Sequence, residues 1–272
     1  LALGAAFGGL LTELFGTDAV FVVDAATYVV SALLLVGLRL PPTPVQSQPF
    51  RWVDILTFRD MRRGLAHVRE LGVLPAVLAK SFWCPAGGYL ALLAIAGEVR
   101  FGPAVGVAAA TSTLYAMRGV GTGLGPVLGR RLYGSDDKAL RRQIGLGFVL
   151  AALLYVGFGF ADGLWLAGVC VLLAHMGGST IWVGSTALWQ RHVDDAYRGR
   201  VHALDFLAMT LSFSISALFA GVLFDLSGSL ALTSGVLSAT LLVSVAVWWR
   251  WSRSLLDGGQ RQPRDTPALE KP

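Results

Sequence analysis

Asp24, Lys80, Arg118 and His175 are ionisable residues set in otherwise apolar sequence. A charge at mid-bilayer costs at least about 2.5 kcal/mol on insertion scales, so each is a candidate for holding a substrate or passing a proton. Arg118 lies in Tyr115-Ala116-Met117-Arg118-Gly119-Val120-Gly121, with further glycines at 123 and 125. A guanidinium keeps its charge and presents a planar fork of donors. It therefore needs an anion, backbone carbonyls or water, and the small residues after it mark a face packed on another helix. Arg118 is expected to face the bundle interior on the Gly119/Gly123 side. Its competing uses are a structural ion pair or a side chain reaching toward the headgroups. His175, in Ala174-His175-Met176-Gly177-Gly178, carries the side-chain type suited to proton transfer near neutral pH, with helix packing as the competing use. Lys80 stands about two turns into its apolar run, where its stem can reach the surface. Asp24 is close to the outer end of its run.

A second group of charges lies between apolar runs. Arg130, Arg131 and Asp136 fall in one such segment, and Asp194, Arg198, Gly199 and Arg200 in another. Both are candidates for a cytoplasmic gate whose charges pair locally and across the molecule, against the plainer reading of a solvated loop. Gly199 between two arginines suggests a tight turn before the next helix.

Enzyme chemistry finds no support. His192 and His202 flank Asp194 and Asp195, but no Cys or third His completes a metal site. Gly119-x-Gly121-x-Gly123 follows an apolar helix instead of a strand, so it is not a nucleotide fingerprint. Ser212, Ser214 and Ser216 lack a Gly-x-Ser-x-Gly elbow. Cys84 and Cys170 both sit in apolar runs and read as small buried hydrophobes. No catalytic residue, metal or cofactor is expected.

The elements that must position these residues are helices in lipid. Hydrophobic residues make up 54% and charged residues 14% of the 272-residue chain, with mean hydropathy +0.62. A soluble domain carries about 25% charged residues. Several apolar stretches reach the roughly 20 residues that span a bilayer as a helix, and the short alternating segments of a lipid-spanning barrel are absent. The chain reads as an all-α membrane protein with about eight transmembrane helices, over 1–15, 19–38, 73–97, 104–128, 144–161, 164–190, 202–226 and 230–249.

Of 22 Lys and Arg, all but Lys80, Arg100 and Arg118 fall in 39–72, 129–143, 191–200 and the tail from 250. The positive-inside rule makes those segments cytoplasmic. The net charge of +5 then reports topology and contact with anionic lipid, not nucleic-acid binding. Within 39–72 a proline-rich turn, Pro41-Pro42-Thr43-Pro44, precedes an amphipathic pattern. Ile55, Phe58, Met61, Leu65 and Val68 recur at helical steps, with Arg59, Arg62, Arg63 and Arg69 opposite. Such a helix lies on a membrane surface or against the bundle. The tail 251–272, rich in Pro, Gln and Arg, reads as disordered.

A pattern G-x-L-x-[E/D]-L-x-G occurs twice. Gly9-Leu10-Leu11-Thr12-Glu13-Leu14-Phe15-Gly16 is answered by Gly221-Val222-Leu223-Phe224-Asp225-Leu226-Ser227-Gly228. Each copy closes one apolar run and precedes another, as expected of a repeated helical unit in a secondary transporter.

With these features the chain resembles the major facilitator superfamily, specifically the bacterial drug:proton antiporter group that includes macrolide-efflux-like and enterobactin-exporter-like proteins. The resemblance is carried by Phe7 to Gly16 with Val20-Phe21-Val22-Val23-Asp24-Ala25-Ala26-Thr27-Tyr28-Val29-Val30-Ser31-Ala32, similar to that group's fifth and sixth helices. It is carried also by Arg198-Gly199-Arg200-Val201 opening a helix that closes in Ala220-Gly221-Val222-Leu223-Phe224-Asp225, and by the long basic loop. It covers residues 1 to about 250. The segment Gly129-Arg130-Arg131-Leu132-Tyr133-Gly134-Ser135-Asp136-Asp137-Lys138 departs from the family's usual order of charges.

The resemblance implies that 1–38 are the last two helices of a first bundle, that 39–72 is a cytoplasmic linker, and that 73–250 form a complete second six-helix bundle. The first four helices of the family are expected to be missing. It further implies proton-coupled efflux of an amphipathic small molecule by alternating access in a bacterial cytoplasmic membrane. The partners are then the lipid bilayer, that small molecule and protons, with no nucleic acid. The competing expectation is a non-transporting membrane module, or truncated gene product, that inserts and binds a partner.

Overall fold

The computed structural model describes residues 2–38, 59–83 and 85–253. The proline-rich turn, Ile55, Phe58, Cys84 and the tail beyond 253 lie outside the described residues. Among the described residues every regular element is helical.

Helix α1, Ala2–Val36, is continuous except at Gly16, whose φ of 80° and ψ of 167° lie outside the helical region. Helices α2, Arg59–Glu70, and α3, Leu74–Phe82, follow. Trp83 closes α3, and Pro85 opens α4, Pro85–Ile95, at a first-turn position where its missing N–H costs nothing. A π-helical turn, Ala96–Phe101, and a last turn, Gly102–Val105, extend α4. The remaining helices are α5 Val107–Tyr133, α6 Asp137–Phe160, α7 Leu164–His192, α8 Asp195–Ser227 and α9 Leu230–Trp251.

Among the described residues six stretches are long and apolar enough to cross a bilayer: Phe7–Val36, Leu74–Val105, Asp137–Phe160, Leu164–His192, Asp195–Ser227 and Leu230–Trp251. The chain is a helical membrane protein. Eight spans were expected, and two differences account for the count. The first two expected spans are two helices that meet at a kink at Gly16, and one apolar stretch covers both. Helix α5, with 27 residues, is long enough, but Arg118, Arg130, Arg131 and its glycines dilute its apolar character. The expected loop at 98–103 is helical instead, and the chain turns at Gly106, where φ is 90°.

Apart from α6 and α7, the main packing partners are not successive in the chain. Helix α7 packs on α5, α6 and α3; α6 also packs on α9; α8 packs on α4, α3 and α2; α1 packs on α5. Trp189, Trp248, Tyr89, Tyr155 and Phe148 fill the interior. Phe21, Leu34, Trp165, Leu218 and Leu226 point outward, as a surface facing hydrocarbon requires.

The close approach of α5 and α7 depends on glycine. A Cβ added at Gly121 would overlap the Leu172 carbonyl, and one at Gly125 the Met176 carbonyl. The buried face of α5 therefore runs along Gly121 and Gly125, corrected from the expected Gly119/Gly123 side. Gly119 is buried, but Gly123 is exposed and an added Cβ there meets nothing.

The amphipathic helix α2 lies against the bundle, not free of it. Gly64 and Val68 are buried, and Gly64 rests on Arg200 of α8. In the repeated motif, the closing glycines share a backbone property. Gly16 has φ 80° and Gly228 φ 62°, both in the left-handed half of the map that favours glycine. The acids Glu13 and Asp225 are both exposed. Gly9 packs tightly on Ser112, whereas nothing crowds Gly221.

Candidate functional site

Arg118 and His175 meet. Arg118 stands midway along α5 and His175 midway along α7, and the glycine contact between these helices brings their axes close enough for direct contact. The guanidinium Nε–H donates to His175 Nε2 at 3.1 Å. With Nε2 accepting, the ring proton sits on Nδ1, which lies 3.2 Å from the Val171 carbonyl and 2.9 Å from the Tyr155 hydroxyl. His175 is only 2% exposed, while Arg118 is half-buried.

Tyr155 continues this polar thread into the bundle. Its ring stacks on Tyr89 with centroids 3.3 Å apart, and the Tyr89 hydroxyl lies 2.6 Å from Ser238 Oγ on α9. Ser234 donates to the Tyr155 carbonyl. Buried polar groups with partners of this kind rigidify a core.

Arg118 and His175 form part of the wall of a cavity of about 240 Å³, together with Trp83, Thr122, Trp182 and Phe213. Trp83 packs edge-on against both His175, at 6.0 Å, and Phe213, at 5.9 Å. A cleft of about 360 Å³ between α5, α6 and α7 is larger, but its lining is Leu128, Tyr133, Leu146, Met176 and similar residues. Of its polar members, Gln143 spends its amide on the Gly134 carbonyl at 2.8 Å and Thr180 donates to the Met176 carbonyl. Such a surface suits an acyl chain and has no charged group to orient a polar ligand.

Lys80 stands beside the Arg118 cavity instead of in its wall. Its ammonium pairs with Asp205 of α8 and lies 5.4 Å from the centre of the Trp182 ring. Lys80 is 3% and Asp205 2% exposed, and Asp205 Oδ1 finds no hydrogen-bond partner. Asp205 was not among the sequence candidates, although an acid three residues inside the expected span 202–226 was a readable signal. Asp24 is exposed on α1 and does not join the cluster.

The charges at the basic end of the bundle sort into pairs. Asp136 caps α6 by accepting from the Ala139 N–H at 2.9 Å. Its neighbour Asp137, not singled out in the sequence, holds both Arg191 at 3.0 Å and His192 at 2.7 Å. Arg200 bonds Asp60 of α2 at 3.1 Å, and Asp194 faces His67 of α2 at 3.5 Å. His67 also stacks on Tyr197. Arg198 pairs with Asp195 one turn before it. Arg130 and Arg131 lie in the last turn of α5, and Gly199, expected at a tight turn, lies instead inside helix α8 with nothing crowding it. Among the described residues no group of His, Cys, Asp or Glu gathers to hold a metal.

No protein-family model matches the chain, and no curated protein matches it.

Proposed function

We propose that the chain acts in a secondary transporter of the major facilitator type, which moves an amphipathic small molecule out of a bacterial cell by proton-coupled alternating access. The basic segments face the cytoplasm in this reading. The observation that carries it is the half-buried Arg118, bonded to His175 in the wall of an apolar and aromatic cavity at the middle of the bundle. A permanent charge at that depth is costly, and a water-filled or ligand-filled cavity is where membrane proteins place one. Substrate sites in such transporters lie near the midplane between helices.

The parts take roles on this basis. Arg118 holds the polar end of the substrate, and Trp83, Trp182 and Phe213 enclose its apolar part. His175 is the group through which protons act, since a proton placed on Nε2 displaces the Arg118 N–H from it. The pairs of Asp60 with Arg200 and Asp194 with His67 close the cytoplasmic end and part when the site opens inward.

The test is retention of lipophilic dyes by bacteria that lack their own efflux pumps and express the complete reading frame containing this chain. Retention should fall, and a protonophore or Arg118→Ala should restore it. Unchanged retention across cationic, neutral and anionic dyes, with the protein present in the membrane, would overturn the reading.

A further inference from the structure

The cavity wall carries one permanent charge and no acid to balance it. Among the described residues no carboxylate lies within ion-pair distance of Arg118. Its Nε is engaged by His175, while its two terminal nitrogens make no hydrogen bond to any described residue. The nearby cation Lys80 is already neutralised by Asp205. What remains is a guanidinium fork open to a cavity whose other walls, besides His175, are indole, phenyl and aliphatic, with the Thr122 and Ser179 hydroxyls donating to backbone carbonyls. A carboxylate matches that fork with two parallel hydrogen bonds. A cationic ligand would meet like charge with no compensating acid.

We infer that this cavity takes an amphipathic organic anion, with its acidic group on Arg118 and its apolar body against Trp83, Trp182 and Phe213. The inference rests on the reading of the cavity as a substrate site. The volume of about 240 Å³ falls below the 300–1,000 Å³ of drug-sized sites, so the body is small, of one or two rings. The acidic group belongs either to a soluble carboxylate or to an anionic lipid, and both present the same chemistry to Arg118.

Three ligands of one shape and different charge test this: naphthoate, its neutral amide and naphthylmethylammonium. Binding is measured to the protein in phosphatidylcholine nanodiscs, for the native chain, Arg118→Gln and Arg118→Lys. Naphthoate should bind at least about tenfold more tightly than the amide, as expected of a charge-assisted bond in a shielded site. Arg118→Gln should erase the difference and Arg118→Lys should restore part of it. Adding phosphatidylglycerol to the discs separates the two sources, because displacement of naphthoate assigns the anion to lipid and no displacement assigns it to a soluble acid.

Equal binding of acid and amide, preference for the ammonium, or no binding of any of the three to folded protein would overturn the anion assignment. Dye export that depends on Arg118 but favours cations would do the same while leaving the transporter reading in place. Arg118-dependent naphthoate binding without any export would uphold the anion site and defeat the transporter reading.

Discussion

Lys80 and Asp205, 125 residues apart in the chain, meet as a buried ion pair between α3 and α8. Each is a charge that the bilayer interior would not tolerate alone. Together they tie the N-terminal half of α8 to the helix that carries Trp83, and through Trp182 they touch α7. The pair therefore braces three of the elements around the Arg118 cavity.

Removing one partner should be worse than removing both. Breaking a buried pair strands an uncompensated charge and costs roughly 3–5 kcal/mol, whereas an apolar replacement of the pair is often close to neutral. Asp205→Ala should sharply lower the temperature at which the purified protein aggregates. Lys80→Met combined with Asp205→Leu should recover most of that loss. Equal losses in the single and double variants would remove the ion pair as the cause.

The α5–α7 contact makes a position-specific prediction. Gly121→Val should loosen the bundle, because the new side chain meets the Leu172 backbone, and overpacking of this kind costs about 1–3 kcal/mol. Gly123→Ala, two residues on, should leave thermal stability unchanged or slightly raised, since its Cβ enters open space. Chromatographic thermal-shift measurements on the two variants separate these outcomes.

The closing glycines of the repeated motif differ in what can replace them. Gly228, at φ 62° and ψ 10°, occupies the left-handed helix-cap region that asparagine also accepts. Gly16, at φ 80° and ψ 167°, lies in a region almost restricted to glycine, where a side chain costs about 1–3 kcal/mol. Gly228→Asn should be well tolerated and Gly16→Asn should not, measured by the folded fraction recovered from membranes. Equal tolerance at the two sites would count against the backbone assignment at Gly16.

Docking of α2 on α8 can be read by protease. Gly64 sits against the Arg200 side chain, so Gly64→Leu should push α2 away from Tyr197 and Arg200. Trypsin should then cut after Arg62 and Arg63 several times faster than in the native chain, with the rest of the bundle intact. An unchanged cleavage rate would show that α2 is not held by this contact.

The proposed orientation is open to labelling. In a chain with Cys84 and Cys170 replaced by alanine, Gly199→Cys and Gly163→Cys place thiols at opposite helix ends where nothing crowds them. An impermeant maleimide should label the cysteine at 163 on intact cells and the one at 199 only after lysis. The reverse pattern would invert the topology.

Class and interior charges were legible in the sequence because both are local properties. Twenty apolar residues are energetically a bilayer span whatever surrounds them, and Arg118 and His175 stand out because a charged or polar group at that depth needs a reason. The break at Gly16 and the turn at Gly228 were marked by the repeated motif. The rotation of α5 was not legible. Glycines at 119, 121, 123 and 125 lie all round a helix of 3.6 residues per turn, so only contact with Leu172 and Met176 selected Gly121 and Gly125 as the packed face. Asp205 was not singled out in the sequence, and only the packing of α8, which begins at Asp195, carries it onto Lys80. Likewise Asp24, as apolar in its surroundings as the others, ends on an exposed side of α1. Hydropathy is a sum over neighbours in the chain, whereas the partner of a buried charge is set by which helix faces turn toward each other, and that is decided only when the helices pack.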